Sequence, residues 1–225
     1  MRSISRLFHA TLGILAPLVC LAATPATPAI MDKLYADYWE DYLKDNPITA
    51  TFNGDNRYND RFGPVTSAEA NAAVRQLAEK YLALTAELDP SGLPAEDRIS
   101  YDLLRYQLQE ALDGLAFPSH LLPVNQMSSV HLIMAQLGSG RLAQPFETVQ
   151  DYDNWLARAA GFGPYVDGAI ADMREGMARG IVLPKALARP VLPQLEALGT
   201  TDLEKNVYLS PIRKFPAGFT ETDKA

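Results

Sequence analysis

Residues Thr148 to Leu198 confine the chain to helices more tightly than any other stretch: TVQDYDNWLARAAGFGPYVDGAIADMREGMARGIVLPKALARPVLPQLEAL. Thr148 and Asp151 stand three apart, as the first residue and the N3 residue of a capping box do. Val149, Tyr152, Trp155, Leu156 and Ala159 follow at helical spacing and predict one inner face. Gly161 and Gly163 are expected to end that helix, with Pro164 restarting the next. The second helix is expected to bury Val166, Ala169, Ile170, Met173 and Met177, and Gly180 suits the position just past its end. Gly176 and Gly180 have G-x-x-x-G spacing on a helix too polar for a membrane, which points to close packing and capping. Pro184 opens a third segment, where Pro190 and Pro193 predict a kink or a late start.

The same pattern fills the chain upstream. Ile30, Leu34, Tyr38 and Tyr42 form one stripe, and Met31, Tyr35, Trp39 and Leu43 form another beside it. Together they predict an amphipathic helix over Ile30 to Lys44. Pro47 ends it or opens a short turn. Thr66 and Glu69 form a second capping-box pair, before Val74, Leu77, Tyr81, Leu84 and Leu88. Asp89 to Gly92 is a turn. Pro94 opens a helix to about Leu112, whose Ile99, Leu103 and Tyr106, with Leu104, Leu108, Leu112 and Leu115, predict a broad buried face. The short loop makes these two helices an antiparallel hairpin. A further short helix is expected from Ser128 or Ser129 to Gly138. No strand pattern and no fixed-period repeat is found, so the fold class is all-α, an irregular bundle of antiparallel helices.

The two ends read differently. Residues 1–23 have the form of a secretory signal. Arg2 and Arg6 precede an apolar run from Leu7 to Leu21, and small residues follow at Ala22 and Ala23. The run is too short and too interrupted for a spanning helix, so no membrane span is expected after cleavage. Export to the periplasm or beyond is the expectation. Residues 24–29 read as a disordered Pro/Ala linker, residues 30–199 as the helical domain, and residues 200–225 as an irregular, frayed tail. Loss of Arg2 and Arg6 leaves 18 of 20 basic residues against 27 acidic ones, a net of −9. That balance argues against nucleic acid or an anionic membrane surface as partner. The only cysteine, Cys20, lies in the signal, so the mature chain has neither disulfide nor thiol nucleophile.

Candidate chemistry is sparse. His120 and His131 lack H-x-x-x-H or H-E-x-x-H spacing, and a structural or surface role is expected for both. Asp55, Asn56, Asn59 and Asp60 miss the calcium-loop pattern and read as a surface loop. Gly138-Ser139-Gly140 lacks the G-K-[ST] of a phosphate loop. No catalytic, cofactor-binding or metal residue is assigned within this chain.

Several short motifs nevertheless fall in a recognisable order. Asp151-Tyr152 with Arg158, and Arg174-Glu175-Gly176 with Gly180 and Pro184, lie in the helical stretch. Pro47, Ala50-Thr51 and Gly54, then Tyr101-Asp102 and Pro123-Val124-Asn125-Gln126, precede it, and Ser210-Pro211 follows. Over Leu34 to Pro211 the chain resembles the bacterial DUF885 family. The resemblance implies an exported, mostly helical protein related to zinc metallopeptidases, whose H-E-x-x-H helix lies in a C-terminal part. This sequence matches only the N-terminal portion and is expected to be incomplete relative to the full-length family. Zinc is expected only in the full-length form, and no ligand or catalytic residue carries over. The expected partner is the catalytic part, packed on an apolar helical face, with the loop Pro123 to Gln126 a possible contact to a peptide substrate. The alternative is a standalone periplasmic helical binding or interaction protein without catalysis.

Overall fold

The computed structural model describes residues 23–224, so residues 1–22 of the signal-like segment lie outside the described residues. Helix α1 spans Pro28–Asp45 and α2 spans Pro47–Phe52. The hairpin follows as α3 (Ser67–Ala86) and α4 (Ala95–Gly114). Then come α5 (Val130–Gly138), α6 (Val149–Ala160), α7 (Phe162–Ala178), α8 (Lys185–Ala188) and α9 (Val191–Leu198). The protein is predominantly all-α. Among the described residues no helix is long and apolar enough to cross a membrane.

Both capping boxes form. Thr66 accepts from the Glu69 amide while Glu69 accepts from the Thr66 amide, and Thr148 and Asp151 do the same. Each satisfies amides that the first helical turn leaves unpaired. Pro190 separates α8 from α9, as its missing amide requires, and Pro193 sits in the first turn of α9, where that amide has no helical partner. Gly161 ends α6 as expected, but α7 starts at Phe162 and not at Pro164, so Gly163 lies inside its first turn.

One core joins α1, α3 and α4. Met31 and Leu34 of α1 pack on Ala78 and Tyr81 of α3 and on Tyr101, Leu104 and Leu108 of α4. Each large buried side chain there contributes about 1.5–3 kcal/mol of burial free energy. Tyr101 also donates its hydroxyl to the Thr85 carbonyl at 2.8 Å, pinning α4 to the end of α3. A second core gathers Met134 and Leu137 of α5 with Trp155 of α6, walled by Phe62, Phe146 and Tyr208.

The expected broad face of α4 is half right. Leu104 and Leu108 are buried, whereas Ile99, Leu103 and Tyr106 are 67%, 51% and 62% exposed. These three recur at i, i+4 and i+7 on one side that no described element covers. Leu156 of α6 and Met177 of α7 are also exposed rather than inward. Apolar spacing alone cannot say which of two adjacent stripes meets a neighbour.

Both ends correct the expectation of disorder. Thr24–Pro25 forms a two-residue strand, β1, parallel to Leu88–Asp89, β2. Ala26 is buried against α1 and α3, and the Thr27 hydroxyl caps α1. The Pro/Ala segment is thus a tether into the hairpin turn. Residues past 199 lack α-helix but are packed: Tyr208 stacks on Trp155, Phe215 and Phe219 close on Tyr152, and Pro211 is buried.

Charge ties α1 to α3. Lys80 donates to Asp41 at 2.5 Å and the Tyr81 hydroxyl donates to it at 2.9 Å. The Lys80 bond first, then the phenol, hold the Asp41 carboxyl below its ordinary pKa. A depressed carboxyl stabilises the fold above about pH 4 and loses that contribution as pH falls through its folded pKa. Urea melts from pH 7 to pH 2 should therefore show Asp41→Asn less stable than wild type at neutral pH, with the gap closing in acid. Parallel curves would mean that the contact contributes nothing to folding.

Candidate functional site

The largest fully buried side chain among the described residues is that of Arg158, 0% exposed. The guanidinium runs from α6 into the body of the protein. Nε donates to the Arg61 carbonyl at 2.8 Å. Nη1 donates to Gln144 Oε1 at 2.7 Å. Nη2 reaches the Tyr58 carbonyl and Thr51 Oγ1, each at 2.8 Å, and the Pro47 carbonyl at 3.3 Å. Thr51 in turn donates to Asn59 Oδ1 at 2.6 Å. The expected surface loop is therefore partly interior, because Asn59 and Tyr58 are buried beneath this cluster.

Among the described residues no carboxylate bonds the guanidinium. Its charge is spread over neutral acceptors, which satisfy the planar fork as water would. Burial pushes its pKa down to about 10, with the charge of Asp60 partly opposing the shift, so Arg158 remains cationic at neutral pH. Two motifs separated by more than ninety residues in sequence thus meet here: Pro47 and Thr51 from one, Arg158 from the other.

Several of the remaining motif residues also hold structure. Asp151 closes the capping box of α6, and the Tyr152 hydroxyl donates to the Pro211 carbonyl at 3.1 Å. Asn125 accepts from the amides of Met127 and Ser128, folding the Pro123–Gln126 loop toward α5. Gly176 lies against Leu121, and Gly180 has φ +71°, a conformation that favours glycine. Arg174 and Glu175 face outward on α7.

Two apolar grooves adjoin this frame. One, of about 390 Å³, runs between the C-terminal part of α7 and α9, with Leu121, Met177, Ile181, Val191 and Leu192 among its walls. The other, of about 350 Å³, lies between α5, α7 and the end of α9, and shares Val124, Met173 and Leu195 with the first. His131 and Tyr208 line the second groove. Burial raises the Tyr208 phenol above its ordinary pKa. The walls of the two grooves come from five separated segments, of which the sequence pointed only to the Pro123–Gln126 loop, whose Pro123 and Val124 line the second groove.

A smaller hollow brings together Ser67, His120 and Asp172, three residue types used in acyl transfer. Their order does not suit it. The Ser67 hydroxyl donates to Asp172 at 3.1 Å, and no hydrogen bond joins His120 to either among the described residues. A nucleophile of this kind needs a histidine base in reach, and His120 makes no such contact among the described residues.

A zinc ion does not fit these residues. No three side chains of His, Cys, Asp or Glu converge among the described residues. His120 and His131 line different hollows, and the walls around His131 are apolar.

A family model described as "Bacterial protein of unknown function (DUF885)" matches residues 47–225. No curated protein matches the chain.

Proposed function

The chain belongs to the DUF885 family, and we propose that its described helices are the non-catalytic part of an exported hydrolase of the zinc-peptidase kind. A catalytic part carrying the H-E-x-x-H helix packs on the uncovered stripe of α4. The observation that carries this reading is that stripe itself: Ile99, Leu103 and Tyr106 stand exposed in one line on the helix that anchors the main core. Large apolar side chains aligned in this way on a soluble surface mark a contact face. The employment of most of the family motifs in caps, close packing and the Arg158 cluster is consistent with it, although Arg174 and Glu175 face outward.

A second reading, a periplasmic binding protein without catalysis, is favoured by the two joined apolar grooves.

The native protein recovered from the periplasmic fraction separates the two. Under the hydrolase reading, it carries tightly held zinc and cleaves apolar peptides, and chelation abolishes the cleavage. Leu103→Glu with Tyr106→Glu would remove both properties while the helical circular dichroism of the 225-residue chain stays unchanged. An exported, folded monomer with neither zinc nor cleavage would reject the hydrolase reading.

A further inference from the structure

An open cleft of about 330 Å³ lies between the C-terminal half of α1, α3 and α4. Val74, Leu77 and Leu108 supply apolar lining, beside Tyr38 and Tyr42, whose ring centroids are 6.1 Å apart. Unlike the two grooves near α7, this cleft also presents polar side chains: Asp45, Asn46 and Gln107 line it, and none of the three is buried. Asp45 is the only charged residue in the lining. Its carboxylate makes no ion pair among the described residues. Lys44 and Lys80 share a neighbouring hollow with it, but Lys44 pairs with Glu40 and Asp41, and Lys80 with Asp41. Asp45 is also the last residue of α1, where the carbonyls of the final turn make the helix end negative and favour a cation. A carboxylate without counter-charge at that position breaks a local rule, and uncompensated breaks of this kind gather at functional sites.

We propose that this cleft binds an organic cation, an ammonium group carried on a small apolar body. The cation supplies the counter-charge that Asp45 lacks. Asn46 adds a positioned acceptor: its Nδ2 donates to the Tyr42 carbonyl at 2.8 Å, and its Oδ1 bonds nothing among the described residues. An ammonium has three donors and no acceptor, which matches a carboxylate beside an amide oxygen. Tyrosine rings have negative faces and attract a cation within about 6 Å. The apolar body lies against Val74, Leu77 and Leu108, and the volume is at the small end of ligand pockets. An anion would be repelled by Asp45. A sugar would use the rings and amides but leave the carboxylate without a counter-charge. The inference does not rest on the hydrolase reading, because the exposed α4 stripe is not part of this lining and binding is measured without cleavage.

Calorimetric titration of 2-phenylethylamine into the protein at neutral pH and low salt should give saturable binding. Its neutral counterpart 2-phenylethanol, and glucose, should bind about tenfold more weakly or worse, the factor that a surface ion pair and a cation–π contact supply together. Asp45→Asn keeps the shape and removes the charge, and it should weaken the amine about fivefold. Gln107→Glu adds a carboxylate to the same lining and should tighten the amine about threefold. Asp45→Asn should also hold or raise the melting temperature, because it removes a negative charge from the negative end of α1. Equal affinity for the amine and the alcohol, no saturable heat, or unchanged affinity in both variants would overturn the proposal. Preference for glucose would assign the cleft to a sugar and overturn it too. A lower melting temperature in Asp45→Asn would make the carboxylate structural, with the same consequence.

Discussion

Arg158→Met is expected to lower folding stability by about 3–5 kcal/mol, from about 1–3 kcal/mol for each acceptor left without a donor together with the lost hydrogen bonds to the others. The loss does not come from the charge itself, whose burial is costly and pushes its pKa down. It comes from the acceptors left behind. The Arg61 carbonyl and the amide oxygen of Gln144 would lose their donor, while the carbonyls of Pro47 and Tyr58 would each keep one, from the Thr51 hydroxyl and the Arg61 amide. Methionine fills much of the volume but donates nothing. Arg158→Lys keeps the charge yet lacks the planar fork, so it should recover only part of the loss. Urea unfolding checks this: with a slope of about 2 kcal/mol per molar, the midpoint of Arg158→Met should fall by roughly 2 M. A fall of less than about 0.5 M would mean that the acceptors find other partners.

Gly176→Ala should be the second large effect, although alanine is the better helix former by about 1 kcal/mol. A Cβ at this point in α7 would stand 2.7 Å from the Ile181 carbonyl oxygen and 3.1 Å from that of Leu121. Both are backbone atoms of neighbouring segments, so neither can swing aside as a flexible side chain would. Overpacking of this kind costs up to about 3 kcal/mol. The clash wins, and a net loss of about 2 kcal/mol is expected. Thermal unfolding followed by circular dichroism gives the answer, and a rise in melting temperature would show that α7 can move away from the Leu121 turn at little cost.

Much of the fold was legible because helix starts are written locally. Thr66 with Glu69, and Thr148 with Asp151, needed only a three-residue spacing to be read. The prolines at 190 and 193 marked the split of the last helices by the same local logic. Inside and outside were less legible. Ile99-Leu103-Tyr106 and Leu104-Leu108 are adjacent stripes on one helix, and only the position of α3 decides which is buried. The ends misled for a similar reason: the Pro/Ala segment and the residues after 199 lack periodicity, yet they find partners in β2, Trp155 and Tyr152. Of the candidate sites, the motif residues were visible but not their meeting. Nothing in the spacing of Pro47, Thr51 and Arg158 announces a shared cluster. His131 read as an ordinary histidine, because its lack of partners is a property of the folded surroundings. Of the groove walls, only the Pro123–Gln126 loop stood out in the sequence, because the other segments meet only in the folded chain.

The measurement that tests most directly whether the two separated motifs form one structural clamp is a double-mutant cycle in urea between Thr51→Val and Arg158→Met. Residues in one hydrogen-bond network depart from additivity by about 0.5–3 kcal/mol. A coupling of at least about 1 kcal/mol is expected, because Thr51 Oγ1 accepts from the Arg158 guanidinium at 2.8 Å in a buried site. Additivity within about 0.3 kcal/mol would contradict the clamp and leave the family's motif residues to be explained by chemistry instead.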